Sequence, residues 1–88
     1  MRVVVVFKDN TDYARTVTDY LRDFEMQTGR VLSTLDPDTP DGTQFCLTYD
    51  IIEYPTIIAT SNSGEMQNYW RGLPLPTINE VNYYASQD

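Results

Sequence analysis

The alternation of apolar and polar positions divides the first half of the chain into a strand, a helix and a second strand. RVVVVF, residues 2–7, is a continuous β-branched run, which predicts a central strand covered on both faces. Apolar residues then recur every three or four positions, which predicts a helix with Asn10 or Thr11 as N-cap, Asp12 in its first turn and Gly29 at its end. VLSTL, residues 31–35, predicts a second strand that lies parallel to the first.

The second half contains a helix, a strand pair and a last helix. Thr39 and Pro40 are typical of a helix start, and that helix is expected to reach about Asp50. TIIAT (residues 56–60), the turn SNSG and EMQNYWR (residues 65–71) predict two antiparallel strands, and Thr77 with Glu80 forms a capping box that opens the last helix. The order β-α-β-α-β-β-α predicts an α/β fold, with a four-stranded mixed sheet flanked by helices in a single domain over residues 1–88.

Charge and composition argue against several kinds of partner and against several kinds of chemistry. The formal net charge is −7, and the six basic residues are scattered, which argues against a nucleic-acid partner. No apolar run approaches the length of a membrane-spanning helix, so no membrane contact is expected. Cys46 is the only cysteine and histidine is absent, which excludes an internal disulfide and removes the commonest general base and metal ligand. We expect a cytoplasmic protein with no bound metal.

The stretch YDIIEYPTIIATSNSG, residues 49–64, resembles the segment around the conserved proline of the thioredoxin/glutaredoxin superfamily, and the element order agrees with that fold. The matching positions are Tyr49, Ile51, Pro55, Thr56 and Gly64, followed by Gly72 after the fourth strand. The resemblance covers essentially the whole chain. It implies that Pro55 is cis and faces the start of the first helix, and that the backbone of Tyr54 is free to pair with an extended peptide.

The same resemblance shows which chemistry this chain lacks. Relatives often carry Cys-Pro-Tyr-Cys-Arg where the first helix begins, because the helix N-terminus stabilises a thiolate. Here the corresponding segment is TDYAR, residues 11–15, so Thr11 and Ala14 replace the two cysteines and Asp12 replaces the proline. Tyr13 agrees with the motif. Dithiol exchange is therefore excluded, and iron–sulfur binding lacks its cysteine ligands.

Lys8 and Cys46 are the two remaining candidates for the chemistry of relatives. Lys8 stands where glutaredoxins often have a lysine that contacts glutathione, but the rest of that pocket is replaced by GLPLPT, so a solvated lysine is the alternative that we favour. Cys46 falls on the second helix, where burial in the core is the favoured interpretation and a reactive or regulatory thiol is the alternative. We expect no cofactor.

Two further patterns have competing interpretations. DPDTPDG, residues 36–42, has three aspartates, but their spacing departs from a calcium-binding loop, and a turn that feeds a helix is favoured. Tyr13 and Tyr54 are expected to flank the former redox site, either as a partner surface or as half-buried packing. Tyr69 and Trp70 should lie on opposite faces of their strand, so the four aromatic residues do not form one patch.

These observations favour a redox-inactive thioredoxin-like domain that acts as a protein- or peptide-binding adaptor. The predicted binding residues are Lys8, Tyr13, Tyr54 and Pro55, and no catalytic residue is assigned. A thiol-dependent redox or glutathione-linked activity through Cys46 is the enzymatic alternative, and a scaffold that self-associates through a sheet edge or a helix face is a third. The assignment leans away from an enzyme. The oligomeric state and the identity of the partner are left open.

Overall fold

The structure is a computed structural model, and it describes residues 1–87 of the chain. Its elements follow the predicted order β-α-β-α-β-β-α. Their bounds are β1 Arg2–Val6, α1 Ala14–Thr28, β2 Ser33–Leu35, α2 Pro40–Tyr49, β3 Thr56–Thr60, β4 Met66–Arg71 and α3 Ile78–Ala85.

The strands form one four-stranded mixed sheet in the order β2-β1-β3-β4. β1 lies parallel to β2 and antiparallel to β3, and β3 lies antiparallel to β4. In the β1–β3 ladder Val6 stands opposite Thr56, so the end of β1 lies beside the start of β3. The predicted α/β fold with a mixed sheet is confirmed.

The valine run of β1 serves two cores, one on each face of the sheet. Val3 and Val5 pack with α1 and α3, whereas Val4 and Val6 pack with α2, because successive side chains of a strand point to opposite faces. All five residues of β3 are buried as well. The continuous apolar pattern of β1 and β3 therefore reflects burial on both faces, as the sequence predicts.

The start of α1 differs from the prediction. The helix begins at Ala14 with Tyr13 in the N-cap position, and no side chain caps it. Thr11, a predicted N-cap, instead donates its hydroxyl to the carbonyl oxygen of Lys8 at 2.8 Å. This local bond holds residues 11–13 in a turn before the helix, so Asp12 lies outside the first helical turn. Gly29 ends the helix in the left-handed region, with φ of 74°, as predicted.

The second strand is shorter than predicted. β2 begins at Ser33, because its pairing with β1 covers only three residues, from Ser33 to Leu35. Val31 lies outside the strand and is 77% exposed, while Leu32 turns into the core shared by α1 and α3. The apolar side chains of Val31 and Leu32 led to the prediction that the strand begins at residue 31, although neither residue pairs with β1.

The two remaining helix starts agree with the sequence. The Thr39 hydroxyl accepts a hydrogen bond from the Gly42 amide at 3.0 Å, with Pro40 in the first turn. At α3, the Thr77 hydroxyl accepts from the Glu80 amide while the Glu80 carboxylate accepts from the Thr77 amide, which is the predicted capping box. Among residues 1–87, no helix is long and apolar enough to cross a membrane.

Gly42 is the position where α2 packs most closely against the preceding loop. A Cβ atom at this position would overlap the carbonyl oxygen of Asp36. We expect Gly42→Ala to lower the free energy of unfolding by about 1–3 kcal/mol, because the backbone has to shift to accept the methyl group. Gln44→Ala, at an exposed position of the same helix, should change it by less than about 0.5 kcal/mol in the same urea titration. Equal stability of the two variants would contradict this packing.

Candidate functional site

The Tyr54–Pro55 step lies immediately before β3, at the end of the sheet where β1 finishes. Its peptide bond is cis. Pro55 is buried, and its carbonyl oxygen accepts a hydrogen bond from the Gly72 amide at 2.7 Å. Tyr54 is half-buried, and within residues 1–87 neither its amide nor its carbonyl oxygen takes part in a hydrogen bond. These two backbone groups are thus available to a bound chain.

Lys8 follows β1 and lies over the Tyr54 side chain. Its ammonium group is 5.3 Å from the centre of the Tyr54 ring, a cation–π arrangement, and 3.5 Å from a carboxylate oxygen of Asp38. Its backbone amide donates to the Tyr13 hydroxyl at 3.2 Å. Lys8 therefore connects β1, the start of α1, the loop before α2 and the Tyr54 loop. We call the group Lys8, Tyr13, Asp38, Cys46 and Tyr54 the Tyr54 site.

The residues that the sequence resemblance aligns with a redox motif lie at and just before the start of α1. Tyr13 and Ala14 are half-buried, and Asp12 is exposed. Thr11, which the resemblance aligns with the first cysteine of that motif, is half-buried, and its hydroxyl donates to the Lys8 carbonyl oxygen. The chain has no histidine to remove that proton. Thr11 thus acts as a turn residue in this arrangement.

Cys46 lies beneath Tyr54, on α2. It is 8% exposed and packs in the core between α2 and the sheet, as the favoured interpretation expected. Burial raises the pKa of its thiol, and a hydrogen bond from the Tyr54 hydroxyl offsets part of that rise. A raised pKa reduces the thiolate fraction at neutral pH, which is the reactive form.

The Tyr54 hydroxyl is itself held in the protonated form. Its pKa is raised mainly by burial and next by Cys46, with smaller contributions from Asp38 and Tyr13. The hydroxyl therefore remains a hydrogen-bond donor across the neutral range. The site offers donors, an aromatic face and one ion pair, and within residues 1–87 no three His, Cys, Asp or Glu side chains lie close enough to hold a metal.

The sequence analysis did not anticipate that Asp38 and Cys46 lie beside Tyr54. Asp38 was considered only as a calcium ligand, but it pairs with Lys8, which lies thirty positions earlier in the chain. Cys46 was expected on another helix than the aligned motif positions, yet Tyr54 packs against the core cluster that contains Cys46. The sequence offered one signal for the Lys8–Asp38 pair. Asp38 lies just before Thr39, the N-cap of α2, in the loop that passes the end of β1. A second cis peptide bond, between Leu73 and Pro74, was also not anticipated.

The aromatic residues divide as the strand alternation predicts. Tyr13 and Tyr54 both contact Lys8 at the Tyr54 site. Trp70 packs against the core shared by α1 and α3, whereas Tyr69 lies on the α2 face with the Arg71 guanidinium 5.3 Å from its ring centre. The four aromatic residues therefore do not form one patch.

Comparison with known proteins identifies the fold. No protein-family model matches the sequence, and a search of the curated proteins gives no match. Among solved structures, thioredoxin 1 from Thermosipho africanus superimposes with a TM-score of 0.65 over 98% of this chain and 91% of that one, at 10% identity. A malarial protein gives the same TM-score over 96% of this chain and 91% of that one, at 14% identity. The chain has a thioredoxin-like fold.

Proposed function

We propose that this chain is a redox-inactive binding module that holds an extended peptide segment of a partner protein at the Tyr54 site. The single observation that supports it best is the pair of unbonded backbone groups of Tyr54, next to a buried proline at the end of the sheet. An extended peptide can form backbone hydrogen bonds with such groups, as in other cases of β-strand addition. Lys8 and Tyr13 line the place where its side chains would lie.

The charge of the chain favours a partner segment with basic residues. The net charge is −7, and Asp9 and Asp12 are exposed in the loop between Lys8 and α1. Basic residues on a partner would raise the rate at which the two proteins associate. High salt would lower that rate again, because it screens the attraction. Lys8 is already paired with Asp38, so the exposed carboxylates dominate this rim.

The thiol alternative has less support. Cys46 is the only thiol, it is buried, and burial raises its pKa. A redox cycle at this cysteine would therefore need a thiolate that the surroundings disfavour. A cytoplasmic location remains the simplest proposal for a chain with one cysteine and no internal disulfide.

Peptide binding is testable with a phage-displayed library of random linear peptides. We expect enrichment of extended sequences with basic residues, and we expect a synthetic copy to shift the amide signals of residues 10–14 and 53–56. Asp12→Asn should weaken the binding of a basic peptide, because it removes an exposed carboxylate of this rim, whereas Leu47→Ala, at an exposed position of α2, should leave it unchanged.

Backbone pairing is tested by methylating single amide nitrogens of that peptide. Methylation of the amide that bonds to Tyr54 should weaken binding about two- to tenfold, since a hydrogen bond contributes about 0.5–1.5 kcal/mol. Methylation at a terminal residue is the control. Signal changes confined to other parts of the fold, or a library that yields no binder, would contradict the proposal.

The state of Cys46 separates the binding proposal from the thiol alternative. In the folded protein we expect it to react with a chromogenic disulfide at least about tenfold more slowly than in denaturant, because burial limits both access and the thiolate fraction. Leu47→Cys combined with Cys46→Ala gives a matched thiol at the next position, which is 73% exposed in its native form. Equal reaction rates for the two folded proteins would favour the thiol alternative.

A further inference from the structure

A second candidate site lies on the face of the sheet that α1 and α3 cover, where the edge strand β4 meets α3. A pocket with a volume of about 230 Å³ opens there. Its walls are three aromatic side chains with one amide and one carboxylate, namely Trp70, Tyr83, Tyr84, Asn68 and Glu80. We call these five residues the aromatic pocket. None of them belongs to the Tyr54 site.

The Tyr84 ring makes edge-to-face contacts with the rings on either side of it. The Trp70 and Tyr84 ring centres are 5.6 Å apart with an interplanar angle of 70°, and those of Tyr83 and Tyr84 are 5.0 Å apart at 86°. The Asn68 amide group donates to the Tyr84 hydroxyl at 3.2 Å, which fixes the middle ring. Tyr83 is 64% exposed, so the outer wall is open to a ligand. Rings at right angles present both faces and edges to one small volume.

Among residues 1–87, the one charged side chain that lines the pocket is Glu80, which is negative. One Glu80 oxygen, Oε1, accepts the capping hydrogen bonds of Thr77, and the second oxygen accepts none within residues 1–87. In the described part of the chain no lysine or arginine lines the pocket, and Arg71 contacts Tyr69 on the other face of the sheet. The Glu80 carboxylate also acts on its surroundings, because after burial it is the second cause that raises the pKa of Tyr20 to about 12. The pocket therefore combines aromatic faces with a negative field.

We propose that the aromatic pocket binds a small quaternary ammonium compound of the choline type. The negative faces of aromatic rings attract a cation, and a methylated ammonium keeps its charge while giving up little hydration. Glu80 supplies the opposite charge without losing its role in the helix cap. A simple ammonium or sodium ion holds its water more strongly and gains less from the rings.

The surroundings of the pocket favour a small free ligand over a peptide side chain. Asn79, next to Glu80 in α3, and Ser86, near the end of that helix, are polar and exposed. A peptide would need contacts beyond the three rings to offset its ordering. The five lining residues provide contacts for one cationic group only.

Trp70 is the only tryptophan, so its fluorescence reports directly on this pocket. We expect choline and tetramethylammonium to change the emission in a saturable manner. The neutral carbon analogue of choline, in which a tert-butyl group replaces trimethylammonium, should bind at least about fivefold more weakly, the factor for one cation–π contact of about 1 kcal/mol. Equal binding of the neutral analogue, or no saturable change with choline, would overturn the proposal.

Single substitutions measure how much the carboxylate and the outer ring each contribute to the affinity for choline. Glu80→Gln removes the charge but retains a side chain suited to the capping box, so a loss of choline affinity reports on charge and not on the helix. Tyr83→Ala removes an exposed wall, and we expect a loss of about fivefold or more from it. Tyr69→Ala, on the other face, is the control and should bind choline as the unaltered chain does. If a trimethyllysine peptide bound more than tenfold tighter than choline, the assignment to a small free ligand would be wrong.

Discussion

The burial of β1 and β3 on both faces is the constraint from which the rest of the structure follows. Two strands of apolar residues can be removed from water only if helices cover both sides, and each buried valine contributes roughly 1.5–3 kcal/mol. α1 and α3 cover one face, and α2 covers the other. The antiparallel register then sets Val6 opposite Thr56, so the residues just beyond these two strands meet at one end of the sheet.

That meeting point explains the composition of the Tyr54 site. Lys8 lies just after β1 and Tyr54 just before β3. The antiparallel pairing of β1 with β3 therefore brings these two residues together although they are far apart in sequence. The loop before α2 adds Asp38, and α2 itself adds Cys46. Thr11 and Ala14 stand where the sequence resemblance places the two cysteines of the redox motif, and a chain with one cysteine cannot form an internal disulfide.

Helices and strands could be predicted from the sequence where a few neighbouring residues determine them. The valine run, the Thr39–Pro40 helix start and the Thr77–Glu80 capping box each depend on neighbouring residues, and they are found as expected. The start of α1 was placed too early because Thr11 has a local partner, the Lys8 carbonyl, that competes with capping. The Lys8–Asp38 pair and the contact of Cys46 with Tyr54 depend on the docking of α2, which no local pattern specifies.

The central claim is that the Tyr54 backbone is unpaired in the free protein. Amide hydrogen exchange measured residue by residue tests it directly, because exchange reports which amides are bonded within the fold. The account predicts that the Tyr54 amide exchanges close to the rate of an unstructured chain, while the Ile58 amide, inside β3, exchanges only through global unfolding. A Tyr54 amide as strongly protected as that of Ile58 would contradict it, since the group would then already be satisfied within the fold.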